Sequence, residues 1–220
     1  MCFSATASFS ASAFLLLAAA VTLKSVRHRR EMPFAAIPLL FGIHQFCEGV
    51  IWLTSSHPAP LLNAVMTHAY SFFSHVLWPV YVPIAVVLIE PPGPRRRILF
   101  AFAAAGLAVG AYLLYIIVAF PVIALAAGHH IEYVSPHFLN TFTMLLYLIA
   151  VTVTPMLSSH RMVNLFGALG LLSFGAAYYF YMTWFISVWC LFAAILSGAV
   201  LWHFASGRAP RAALPAQPGS

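Results

Sequence analysis

Apolar residues run along this chain in blocks of roughly 20, broken by short polar segments, with no sign of the alternation that marks a half-buried strand. Each block is long enough to cross a hydrocarbon layer as a helix. The blocks predict helices over about 4–24, 33–54, 64–89, 98–122, 138–157, 163–181 and 183–204. EMP, SSHPAP, EPPGPRRR, AGHHIEYVSPH and SSHRMVN stand between them, carrying the prolines, charges and polar groups that end helices. The sixth and seventh blocks divide least sharply, around Tyr181 to Trp184, so a six-span reading with one long broken helix stays open. Pro79 and Pro83 predict a kink in the third helix. The expected fold is therefore all-α, a polytopic bundle of seven transmembrane helices over residues 1–206. A disordered cytoplasmic tail follows from 207 to 220, rich in Pro, Ala and Gly.

Composition agrees with this reading: 63% of residues are hydrophobic and 6% are charged. Such a chain needs the lipid bilayer as its partner, because a core of this size cannot hide so much apolar surface. The net charge of +6 does not indicate nucleic acid. The basic residues sit in short inter-helix segments and not on an aromatic-studded face. With the N-terminus outside, all ten Lys+Arg fall in cytoplasmic segments: Lys24, Arg27, Arg29, Arg30, Arg95, Arg96, Arg97, Arg161, Arg208 and Arg211. An odd number of spans, N-out and C-in, satisfies the positive-inside rule throughout, and an even number breaks it. The positive charges follow the first apolar block, whereas a cleavable signal carries them before it. Oligomeric state is not readable.

Chemistry concentrates in few residues. There is no aspartate, and of four glutamates only Glu48 falls inside a span. An ionisable group at that depth is costly and marks a functional site by default. His44 lies four residues earlier, on the same helix face, and Gln45 and Trp52 flank them. On the third helix His68, Ser71 and His75 fall on one side. Antiparallel packing of the two helices brings His44, Glu48, His68 and His75 to similar depth in the outer half of the bundle. Imidazole and carboxylate together suit a transition metal, zinc or copper first, with iron or a bis-histidine haem b as variants. Asn140, Met144 and Tyr147 form a stripe on the fifth helix that would line the same cavity or serve as interhelical hydrogen bonding. Ser4/Ser8/Ser12, Gly106/Gly110 and Gly167/Gly175 read as small-residue packing positions.

The expected function is an integral membrane metal-binding protein, with oxidoreductase or hydrolase activity in view and no catalytic residue identified. The rival class is a transporter or channel with Glu48 and the histidines as a proton or cation relay, taking an ion or small molecule as ligand. Retinal binding is excluded because the sole lysine, Lys24, lies at a helix end. Neither a GxSxG, an HExxH nor a phosphate loop is present. Seven-span zinc amidohydrolases of the ceramidase or adiponectin-receptor type need aspartate, which this chain lacks.

The opening MCFSATASF (Met1 to Phe9) and GIHQFCEGVIW (Gly42 to Trp52) carry a resemblance. Together they resemble a family of bacterial multi-pass membrane proteins of unknown function with a Cys-Phe-Ser-Ala-Thr-Ala-Ser start and HQxxEGxxW in the second helix. The resemblance implies a bacterial cytoplasmic (inner) membrane location and brings no activity. It also draws attention to Cys2, which as a thiolate at the outer mouth of the first helix would be a soft fifth ligand. A cysteine merely packed beneath the outer loops is the equal alternative.

Overall fold

The computed structural model of the protein describes residues 4–57, 59–128, 130–135, 141–180 and 185–205. Helix α1 (Ala5–Lys24) starts at Ser4, whose hydroxyl accepts from the Ala7 N–H at 3.2 Å. A 3-10 turn (Arg29–Glu31) and the short α2 (Met32–Ala35) lead into α3 (Ile37–Ser56). Helix α4 (Pro60–Ser71) runs through a widened π-helical segment (Phe72–Leu77) into α5 (Trp78–Ile89). Helix α6 (Pro94–Ala119) precedes a β-hairpin of β1 (Ile123–Ala127) and β2 (His130–Val134). Then come α7 (Thr141–Leu148), a second π-helical segment (Ile149–Val153), α8 (Thr154–Met156), α9 (Arg161–Phe180) and α10 (Phe185–Ala205).

Among the described residues, five continuous helices are long and apolar enough to cross a membrane: Ala5–Lys24, Arg29–Ser56, Pro60–Ile89, Pro94–Ala119 and Arg161–Phe180. Two further apolar helical stretches, Thr141–Met156 and Ala194–Phe204, coincide with the fifth and seventh sequence blocks. The division between the sixth and seventh blocks falls at residues 181–184, outside the described residues. Burial follows the logic of lipid exposure. Leu17, Val118, Phe142 and Leu172 face outward, while Ser8, Ser12, Thr22, His44, Gln45 and Glu48 face inward. A protein dissolved in water would reverse that preference.

Each π-helical segment precedes a proline by a fixed step. Trp78 N–H bonds Phe73 O and Thr154 N–H bonds Ile149 O, both five residues back, and Pro79 and Pro155 follow. Proline removes a donor and its ring collides with the carbonyl four residues earlier, so the turn before it widens. The kink expected from Pro79 is thus a π turn at Phe72–Leu77.

The segment AGHHIEYVSPH, expected as a polar loop, contributes the second strand of the hairpin. The strands pair antiparallel from Ile123↔Val134 to Ala127↔His130. Gly128 follows β1 at φ +60°, a left-handed conformation that glycine adopts without strain. Alternation then turns Ile131 and Tyr133 inward while Val134 stays exposed.

Close helix contacts rest on small residues. Ser12 donates to Gly42 O at 2.8 Å and Thr22 donates to Ala35 O at 2.7 Å, tying α1 to the second span. A Cβ on Gly106 would overlap the Pro79 carbonyl oxygen, and one on Gly110 would stand 2.5 Å from Val80 Cγ2. Among the described residues, nothing lies within 4 Å of a Cβ built on Gly175. Gly106→Ala is therefore expected to cost about 1–3 kcal/mol or more, because the opposing atom is backbone. Gly175→Ala is expected to be neutral or to stabilise by up to about 1 kcal/mol through helix propensity. Thermal unfolding in detergent separates the two, and equal melting temperatures would refute the α5–α6 packing described here.

Candidate functional site

Glu48 and His44 occupy one buried stripe of α3 because residues four apart stack along a helix. His44, Gln45 and Glu48 are each 0% exposed, and Ser71 and His75 from the adjacent span are 0% and 6% exposed. His75 lies within electrostatic reach of His44. Its position is set by the widened turn, in which His75 Nδ1 contacts Ser74 Oγ at 2.7 Å and Ser71 O at 3.2 Å. A carbonyl only accepts, so the contact with Ser71 O calls for a proton on Nδ1. In that tautomer the lone pair is on Nε2, the nitrogen whose chemistry is that of an acceptor or a ligand.

Aromatic rings enclose the imidazole of His44. Tyr70 lies 4.1 Å away, Phe73 stacks at 5.4 Å, and Phe41 and Trp78 stand at 6.4 and 6.3 Å. Tyr70 in turn stacks flat on Tyr133 of the hairpin, at 4.2 Å and 4° between planes. With Cys47, Ile51 and Ile131 these two tyrosines form a compact apolar cluster over the hairpin side of the centre. No well-formed hydrogen bond holds either ring nitrogen of His44 or the amide of Gln45 among the described residues, although His44 lies close to the Tyr70 backbone. Buried polar atoms left so are costly, by about 1–3 kcal/mol each, and such groups are informative about ligands.

The remaining expected residues divide. Tyr147 reaches the site: its hydroxyl donates to Ser74 O at 2.6 Å, one residue from His75. Met144 is half-buried on the same helix, and Trp52 packs at the edge of the tyrosine cluster. His68 is exposed, with Nδ1 2.8 Å from Ala64 O, and is not gathered with the others. The π turn explains why, since its residues each advance the helix by less than the about 100° of an α-helix, and His75 rotates away from His68. Cys2 and Asn140 lie outside the described residues. Among the described residues, no three of His, Cys, Asp and Glu stand in a ready-made metal cluster. A cavity of about 40 Å³ adjoins the centre, walled by Phe41, Trp78, Val82, Tyr147, Phe166 and Trp189.

Sequence reasoning missed Tyr70, Ser74 and Tyr133. Tyr70 is off the face that carries His68 and Ser71 on an ideal helix, and Tyr133 lay in a presumed loop. The two segments that carried the family resemblance meet in space. A Cβ on Gly49 would stand 2.8 Å from the Phe9 ring, and Phe9 also packs edge-on against Phe46 at 5.5 Å. The start of α1 therefore braces the turn of α3 that holds Glu48.

The fold and this centre define a mostly helical protein with several helices long and apolar enough to cross a membrane and with buried polar groups among them. The chain matches, over residues 1–216, a family described as Family of unknown function (DUF6629), and it belongs to that family. No curated protein and no solved structure matches it.

The tyrosine stack predicts a measurable shield. In a variant retaining only Cys47 as thiol, Tyr133→Ala should raise the rate of labelling by a small methanethiosulfonate at least tenfold. It should also destabilise by roughly 3 kcal/mol, the usual cost of truncating a buried aromatic. Unchanged labelling would remove the hairpin as a cover over Cys47.

Proposed function

We propose that the protein is an integral membrane protein of seven spans, N-out and C-in, in a bacterial cytoplasmic membrane, and that it binds a cation between His44, Glu48 and His75. Full burial of a carboxylate and two imidazoles on adjoining spans is the observation that carries the reading. A carboxylate is most readily kept ionised at such depth by a neighbouring cation. Imidazole nitrogen and carboxylate oxygen together suit zinc or copper, and the buried amide of Gln45, without a hydrogen bond among the described residues, adds a polar neighbour. The positive-inside distribution of all ten Lys+Arg supports the orientation.

Glu48→Gln tests the cation site. Gln keeps the size of the side chain and removes its charge, leaving the bound cation uncompensated. The variant should lose the bound transition metal and melt several degrees lower, a loss of roughly 3–5 kcal/mol as for a broken buried ion pair. Equal metal content and equal melting temperature in wild type and variant would reduce Glu48 to a structural role. A Soret band in the purified protein would identify the cation as haem iron.

A second reading takes the cation as a proton, relayed through Glu48 and the histidines. It is favoured by the absence, among the described residues, of a gathered three-ligand cluster. It requires metal-free wild type and a pH-driven flux into liposomes that Glu48→Gln abolishes.

Orientation is checked separately. A reporter active only in the cytoplasm, fused after Ser220, should function, and activity of a periplasm-specific reporter there would overturn the N-out, C-in arrangement.

A further inference from the structure

A wide opening lies at the other end of the bundle from the hairpin. A cavity of about 760 Å³ lies between the 3-10 turn, the end of α5, the start of α9 and the end of α10. That volume is in the range of small-molecule sites. Its polar wall is made by His28, Arg29, Arg30, His160 and His203, and its apolar wall by Phe34, Leu88, Ile89 and Phe204.

Two glutamates also border the cavity, and both are engaged. Glu31 accepts from the backbone N–H groups of Arg27 and His28 at 3.0 and 3.3 Å. Glu90 is 3% exposed and accepts from the Ser158 hydroxyl at 2.8 Å and from Ser159 N–H at 3.0 Å. At the rim, Arg29 and Arg30 extend from a three-residue turn with both side chains exposed. His160 is held by Ile89 O at 3.1 Å and, together with Glu31, lies in electrostatic reach of His203. Lys24, Arg27, Arg95, Arg96, Arg97 and Arg161 occupy the same end of the bundle and add to its positive field.

We propose that this cavity binds a phosphate-bearing amphiphile, with Arg29 and Arg30 taking the phosphate group and Phe34, Leu88 and Phe204 the attached apolar chain. Guanidinium is the preferred partner of phosphate, because its fork of donors can meet two phosphate oxygens at once. Basic pockets between helices at the charged surface of a membrane are suited to phospholipid head groups. The same chemistry would accept a phosphate compound from solution, and the two sources differ in whether the apolar chain is required. The site is independent of His44, Glu48 and His75, which lie in the bundle interior.

Thermal shift of the full-length protein in neutral detergent tests the proposal with three probes: inorganic phosphate, dihexanoyl phosphatidylglycerol and dihexanoyl phosphatidylcholine. Phosphatidylglycerol should raise the melting temperature of wild type by several degrees, and phosphatidylcholine should do so at least threefold less. A shift with phosphatidylglycerol alone assigns the site to a lipid, and an equal shift with inorganic phosphate assigns it to a soluble phosphate. The double variant Arg29→Gln/Arg30→Gln should lose at least two thirds of the shift. Arg95→Gln/Arg97→Gln, which removes equal charge from residues that do not line the cavity, should retain it. Leu88→Trp fills the apolar wall without changing charge and should block phosphatidylglycerol while sparing any response to phosphate. The proposal is overturned if neither phosphatidylglycerol nor inorganic phosphate shifts wild type. It is equally overturned if the two double variants lose the response alike, since net charge alone would then explain the binding.

Discussion

The carbonyl oxygen of Ser74 has no backbone partner open to it, and much of the interior follows from that. In an α-helix it would accept from Trp78 N–H, but that donor bonds Phe73 O instead. In the π turn it would accept from residue 79, which is proline and has no N–H. In hydrocarbon an unpaired carbonyl is costly, by several kcal/mol, so a side chain must supply the donor. Tyr147 does so at 2.6 Å, and this bond fixes the fifth apolar stretch against the third. The same widened turn carries His75 inward and sets its Nδ1 against Ser74 and Ser71. One proline thus determines a helix register, an interhelical bond and the placement of an imidazole.

Around that turn the protein separates its polar and apolar work by layer. The hairpin presses Tyr133 on Tyr70, and Tyr70 on His44, so the centre is covered from one side by stacked rings. Below it a larger core of Phe34, Ile37, Phe41, Trp78, Val82, Val86 and Phe166 seals the bundle toward the charged end. Phe41 and Trp78 stack at 3.9 Å at the boundary between the two. Burial of such rings supplies the apolar energy against which three ionisable groups are held in the interior.

The charged end is organised by different means. Glu90 ends α5 and accepts hydrogen bonds from Ser158 and Ser159, so a carboxylate joins the end of α5 to the approach of α9. Asn164 Nδ2 lies 3.1, 2.7 and 2.8 Å from Pro155 O, Met156 O and Ser158 O, its two N–H donors shared among the three carbonyls, and closes the same corner. These bonds tie the helix ends together at the charged end of the bundle, beside the cavity.

The sequence by itself determined where helices run, because a 20-residue apolar block has few other fates beside lipid. It also singled out His44, Glu48, His75 and Tyr147, since ionisable and hydroxyl groups are conspicuous against so apolar a background. The concentration of arginine at one end was equally plain. Other features required the tertiary structure. The π turn breaks the 3.6-residue period on which face assignments depend, so His68 and His75, aligned on an ideal helix, part company. The hairpin is short, and Ala-rich β1 has little strand propensity of its own; cross-strand pairing and packing of Ile131 and Tyr133 make it a strand. The contact of Phe9 with Gly49 and the cavity at the charged end are long-range, formed by residues far apart in the chain. No local pattern encodes such meetings, because only the packed fold decides which distant side chains share a space.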